Sequence, residues 1–322
     1  MKKLKFLLLF AALLMNCKAE KQTTIVGVFV PGVIAGSPIY EMMAQGVQKA
    51  CAEKNISVTV VEAGYNQAEW EPSLTSMSAG GRYALIVSSN PSLPAIAVSV
   101  SAKFPKQKFL LLDGELAGNP SVYTLRYDQY EQFFMAGSIA GLVTMECGGE
   151  KKVGLLAGQE YPTMNEIILP AYLEGTRAIA TDFNVDFRVL GNWFDAGKAA
   201  EIAIDMFNRG SYVILCVAGG ANEGVVQTAA ERGTKVVWAD TNGYGVRPGV
   251  VIGSSVVHQD KAAYEKTRLF LEGGLPFGEA EMVGVKDGYV EFIQNDANYI
   301  SAVSEAVRTK QMEIVEGLLN NK

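Results

Sequence analysis

From Thr23 onward the chain alternates short β-rich runs with amphipathic helical stretches, and this alternation limits its possible folds more than any other feature. "TTIVGVFV" predicts a strand, "IYEMMAQGVQKACAEKN" a helix ending near Asn55, "ISVTVVEAG" a strand, and "EWEPSLTSMSAGG" a short helix closed by Gly80 and Gly81. "YALIVSS", "KFLLLDG" and "SVYTLRYD" extend the series of strands. A second series begins with the helix "YEQFFMAGSIAGLVTMECGG" and runs through "KVGLLAG", "VDFRVLGNW", "YVILCVAGG", "KVVWAD" and "VVIGSSV". Repeated β-α-β units imply parallel sheets covered by helices and joined by right-handed crossovers. The expected class is therefore α/β, with two similar Rossmann-like lobes, each around its own parallel sheet. The strands end in small or polar residues, as in "VSSNPS", "LLDG", "NWFD", "AGGANEG" and "ADTN". Ligands of open parallel sheets bind beyond the carboxyl ends of the strands. Two lobes facing each other there would enclose a cleft.

The N-terminus reads as an export signal, with Lys2, Lys3 and Lys5 ahead of a ten-residue apolar core, Phe6 to Met15. About 20 apolar residues are needed to span a bilayer, so this core is too short for a transmembrane helix. It ends in "LLMNC", whose spacing resembles a bacterial lipobox, although Asn16 stands where Ala or Gly is usual. The expectation is a lipoprotein signal peptide over 1–16, a fatty-acyl (palmitate-type) anchor on Cys17 and a tether over 17–22. A general signal cleaved elsewhere is the alternative. Such an anchor would hold an exported, monomeric domain at the bilayer surface, on the periplasmic face. Cleavage after residue 16 removes three lysines and takes the net charge from −6 to −9. An acidic surface argues against nucleic acid as a partner.

Composition also limits the chemistry. Cys51, Cys147 and Cys216 form no CxxC pair, and His258 is the single histidine, so neither a zinc site nor a disulfide framework is expected. No G-x-S-x-G elbow occurs, and "VAGGANEG" matches neither a Walker A loop nor G-x-G-x-x-G, so no catalytic residue is assigned and an enzyme is not expected. The glycines of that run, Gly220 among them, read as a close backbone approach to a ligand or as a helix start.

Several segments together resemble the basic membrane protein family of bacterial lipoproteins, whose best-known type is the purine nucleoside receptor. They are "SAKFPKQKFLLLD", "YEQFFMAGSIAGL" with Glu131, Phe134 and Gly137, "VAGGANEGVV", "WADTN" and "NWFDAGKA". The resemblance implies a type I periplasmic-binding-protein fold with three hinge crossovers, near Tyr127, Gly249 and Val285. It places residues 23–126 and about 250–285 in one lobe, and 127–249 and about 286–322 in the other. It also implies a substrate-binding role beside the permease and ATPase subunits of an ABC-type uptake system.

Departures from the nucleoside-binding pattern narrow the ligand. Where those members carry two acids, a Phe and an Asn in the first loop, this chain has Ala35, Gly36, Ile39 and Tyr40. Their late lysine falls at Val257, their stacking Phe at Trp193, and their ribose-binding Asp is retained as Asp240. Fewer charges and more aromatic surface favour a larger planar ring, while Asp240 keeps a grip on hydroxyls. Riboflavin fits that description, and the chain looks like the riboflavin-binding branch of the family. Riboflavin is thus expected as a bound ligand rather than a catalytic cofactor, and no metal is expected. Candidate contacts are Tyr40, Asn90, Tyr127, Asp128, Tyr130, Trp193, Gly220 and Asp240. Each has a competing reading as a turn, cap or packing residue, and for Tyr127, Asp128 and Tyr130 the rival is hinge packing. A purine nucleoside is the alternative ligand, and a surface role outside transport is the other alternative.

Overall fold

In the computed structural model of the protein, residues 25–320 are described. The signal segment, Cys17 and its tether lie outside the described residues. Two six-stranded sheets organise the molecule. The first contains β1 (Ile25–Val30), β2 (Ser57–Glu62), β3 (Tyr83–Ser89), β4 (Phe109–Leu112), β5 (Val122–Tyr127) and β11 (Ala280–Val283), in the order β11-β5-β4-β3-β1-β2. All its pairings are parallel. The second contains β6 (Lys152–Ala157), β7 (Asn184–Val189), β8 (Val213–Val217), β9 (Lys235–Asp240), β10 (Val251–Val257) and β12 (Val290–Phe292), in the order β12-β10-β9-β8-β6-β7. Here β12 alone runs antiparallel, against β10. The two strand orders are equivalent, so β4 in one lobe corresponds to β9 in the other. The interior strands are almost continuously buried, as expected where helices cover both faces of a parallel sheet.

The first lobe carries the helices α1 (Pro38–Ala52), α2 (Trp70–Ala79) and α3 (Leu93–Lys103). The second carries α4 (Gln129–Glu146), α5 (Leu169–Arg177), α6 (Ala196–Asn208) and α7 (Asn222–Arg232). Helix α8 (Gln259–Leu271) returns to pack on α1, and the chain ends in the second lobe with α9 (Ala297–Ala302) and α10 (Glu305–Asn320). Small residues allow the closest helix contacts. A Cβ on Gly137 of α4 would stand 2.1 Å from the Tyr172 carbonyl oxygen of α5, and one on Gly175 of α5 would stand 2.1 Å from the Phe134 oxygen of α4. Backbone on both sides leaves no flexible atom to yield. Gly137→Ala should therefore cost about 1–3 kcal/mol through overpacking, read as a lowered thermal midpoint with the native circular-dichroism spectrum retained.

The chain crosses between lobes after Tyr127, after Val257 and through residues 284–289. The second crossing differs from the expected position near Gly249. Strand β10 pairs with β9 and β12, which keeps residues 251–257 in the second sheet. Arg247, Pro248 and Gly249 instead form a tight turn, with the Val250 amide donating to the Arg247 carbonyl at 3.0 Å and Gly249 at φ 81°. This is type II turn chemistry, Pro followed by Gly.

The hinge is stitched at the start of α4. The Asp128 carboxylate caps that helix by accepting from the Glu131 amide at 3.1 Å, and the Asp128 amide donates to the Val283 carbonyl at 2.7 Å. Buried Glu131 accepts from the Val285 amide at 2.8 Å, and the Tyr127 hydroxyl donates to Gln259 at 2.5 Å.

Candidate functional site

The carboxyl ends of both sheets face a common cleft, and the residues there fall into a deep polar part and an aromatic outer part. Asp113 follows β4 and Asp240 ends β9, so each lobe contributes one acid from the equivalent position. Both adopt left-handed backbone conformations, at φ 55° and 72°, where Asp is among the few tolerated side chains. Two glutamines of the first turns of α4 hold them. Gln129 Nε2 donates to Asp113 across the lobes at 3.1 Å, and Gln132 Nε2 donates to Asp240 at 3.0 Å and to the Ser255 carbonyl at 3.1 Å. The Oε1 atoms of both glutamines are buried without a hydrogen-bond partner.

Among the described residues, no salt bridge includes either acid. Burial, reinforced by the Asp240 charge, pushes the Asp113 carboxyl up to about 7. Burial also raises Asp240, an effect opposed by its bond from Gln132. Both side chains nonetheless keep partial solvent contact. The deep end is therefore rich in acceptors and carries no neutralising cation, and it suits a ligand that brings hydroxyl donors.

Aromatic side chains from both lobes line the outer part. Tyr40, on the first turn of α1, lays its ring edge over Gly32, so that a Cβ there would meet Tyr40 Cε2 at 3.1 Å. Its hydroxyl donates to the Pro31 carbonyl at 3.2 Å and lies within hydrogen-bond reach of the Asn90 amide. Burial pushes this phenol up to about 12. The loop before α1 contributes little polar chemistry. Its Ile34 amide is held by Glu62 at 2.7 Å, and Ala35 and Gly36 are exposed. Opposite, Trp193 packs its indole against Gly158, where a Cβ would stand 2.4 Å from Cε3. Tyr161, in the loop after β6, lies 6.5 Å from Trp193 between ring centroids at 46°. Burial raises its phenol, and the charges of Asp113 and then Asp240 raise it further.

The candidates from sequence thus separate. Tyr40, Asn90, Trp193 and Asp240 are brought to one cleft, with Asn90 also closing its own turn by accepting from the Ser92 amide at 2.9 Å. Gly220 belongs to a single helical turn beside the Trp193 loop, where the Ala221 amide donates to the Trp193 carbonyl at 3.3 Å. Tyr127 is buried below the acids and bonded within the hinge, and Asp128 serves as a cap. Tyr130 lies on the face of α4 toward Glu174 of α5, stacked on Phe134 at 5.8 Å. His258 meets Glu291 at 2.8 Å beside a separate cavity of about 390 Å³ behind the hinge, lined by Val285, Val290, Phe292, Val315 and Leu319. The sequence did not point to Gln129, Gln132 or Tyr161.

Comparisons with known proteins agree with this architecture. The family described as ABC transporter substrate-binding protein PnrA-like matches residues 23–319. An ABC transporter nucleoside-binding protein BmpA from Lactococcus lactis subsp. cremoris is 24% identical over 69% of this chain and 66% of that protein. Basic membrane protein D from Borreliella burgdorferi is 22% identical over 94% of this chain and 87% of the relative. Among solved structures, an ABC transporter solute-binding protein from Aeropyrum pernix K1 superposes with a TM-score of 0.74 at 24% identity, covering 92% of this chain and 85% of that one. A carbohydrate transporter solute-binding protein from Agrobacterium radiobacter, in complex with D-arabinose, gives a TM-score of 0.68 at 15% identity, over 88% of this chain and 100% of that one. The two-lobed architecture is that of the type I periplasmic binding proteins.

Proposed function

Because the chain belongs to the PnrA-like family of ABC transporter substrate-binding proteins, we propose that it captures riboflavin between its lobes and delivers it to an ATP-driven permease. One observation carries this reading: aromatic walls from both lobes stand over a deep end made of two acids and two glutamines. A tricyclic ring stacks on Tyr40, Trp193 and Tyr161, and the ribityl hydroxyls donate to Asp113 and Asp240. Charge-assisted hydrogen bonds of this kind are stronger than neutral ones. A phosphorylated flavin would place a dianion against the same acids, so the unphosphorylated vitamin is the preferred form. The protein's role is capture and release by hinge closure, not turnover. Export and anchoring through Cys17 are part of the same proposal.

A purine nucleoside is the second reading, favoured by the retained Asp240 and by relatives named as nucleoside- or purine-binding. Against it stands the first loop, where Ala35 and Gly36 supply no acid to a purine edge. Stacking quenches flavin emission. Titrating protein into about 1 µM riboflavin should therefore extinguish most of its fluorescence with one-to-one stoichiometry, an affinity within the ordinary small-ligand range. Unchanged emission at micromolar protein would overturn the flavin assignment.

A further inference from the structure

We propose that Tyr65 and Phe194 are positioning residues that form an aromatic latch across the cleft mouth and set how long the ligand stays bound. Tyr65 lies in the loop after β2 of the first lobe, and Phe194 in the loop after β7 of the second. Their ring centroids are 5.9 Å apart at 41°. Among the described residues, this is the one ring pair that joins the lobes. Both rings are largely exposed, Tyr65 at 52% and Phe194 at 63%, so neither holds a lobe's own core together. Exposed aromatic surface is costly in water, and each ring recovers part of that cost only when the mouth is closed.

Both rings are tied to the walls of the site. A Cβ on Gly32 would stand 3.1 Å from Tyr40 Cε2 and 3.7 Å from Tyr65 Cε1, so the two tyrosines share one backbone surface. Phe194 follows Trp193 directly, and one turn fixes both: Asn192 Oδ1 accepts from the amides of Phe194 at 3.0 Å and Asp195 at 2.8 Å. Among the described residues, the other hydrogen bonds between lobes lie at the deep end or the hinge, including Gln129 to Asp113 and the Val285 amide to Glu131. Opening about the hinge moves the mouth farthest, so contacts there oppose opening with the longest lever. The latch thus acts on dissociation more than on encounter.

The latch rests on the cleft-binding reading for its kinetic test alone, and a ligand-free measurement tests it separately. In a chain carrying Cys17→Ala, riboflavin dissociation is followed by stopped-flow recovery of flavin emission. Tyr65→Ala and Phe194→Ala should each raise the dissociation rate about two- to tenfold, the range expected for one aromatic pair, with association within twofold. The double variant should match the single variants, since either truncation removes the same contact. Tyr65→Phe keeps the ring and should keep the original rate. For the ligand-free test, spin labels on exposed Cys147 and on an introduced Val98→Cys report the interlobe distance, because Cys51 and Cys216 are buried. Phe194→Ala should then shift the distance distribution toward separated lobes. Unchanged dissociation in both single variants, or multiplying effects in the double variant, would overturn the latch. If riboflavin does not bind at all, an unchanged distance distribution in Phe194→Ala would overturn it independently.

Discussion

Trp193→Ala should weaken riboflavin binding about 10- to 100-fold while leaving the thermal midpoint nearly unchanged. Stacking of a planar heterocycle on one protein aromatic is worth about 1–3 kcal/mol, and each 1.4 kcal/mol is a factor of ten in affinity. The fold should tolerate the change because Trp193 is only partly buried, on a loop whose backbone is held by Asn192 and by the Ala221 amide. The indole fills the space above Gly158, so its removal opens that wall and leaves Tyr161 without its neighbour. Isothermal titration of wild type and variant, with melting curves on the same samples, separates a binding loss from unfolding. Less than a threefold loss would remove Trp193 from the ligand's contacts.

Asp113→Asn should stabilise the ligand-free protein at pH 8 and have almost no effect near pH 4. The Asp113 carboxyl titrates near 7 in the folded chain, against an ordinary value of 3.8. Below the ordinary value both states are protonated and the burial of Asp113 carries no charge penalty. Between about pH 4 and 7 the unfolded chain releases its proton first, and the folded state loses stability as pH rises. Above about 7 the full penalty is present, roughly 4 kcal/mol for a shift of this size. Asparagine keeps an oxygen for Gln129 and tolerates the left-handed backbone. The difference in thermal midpoint between variant and wild type should therefore grow from pH 4 to pH 8. A ligand that donates hydroxyls to the ionised acid reverses the balance. Riboflavin binding should release protons, its affinity should fall as pH drops below 7, and Asp113→Asn should bind it about tenfold more weakly. An Asn variant equal in stability to wild type at pH 8 would mean that the two acids do not burden the folded state.

Much of this arrangement is legible in the residues. The β-α alternation gives two lobes, and the polar strand ends give the cleft, because both follow from local periodicity. The resemblance puts the second crossing near Gly249, whereas strand pairing, a long-range property, keeps β10 in the second sheet. The side of α4 that Tyr130 takes is likewise set by tertiary packing, against Phe134 and toward Glu174, and not by a local pattern. Gln129 and Gln132 carry no sequence signal, since glutamines on a first helical turn are ordinary surface residues until the fold sets acids against them. Tyr65, Tyr161 and Phe194 had a usable signal: each stands within five residues after a strand's carboxyl end. Asp113 had one too, at the position in its lobe that matches Asp240.

If this cleft selects a flavin over a nucleoside, parallel isothermal titrations with riboflavin, guanosine and inosine will separate the ligands. Riboflavin should bind at one site per chain in the micromolar range or tighter and be recovered unchanged, while neither nucleoside gives a saturable signal at 100-fold higher concentration. Saturable binding of guanosine or inosine, with riboflavin silent, would make the cleft a nucleoside site instead.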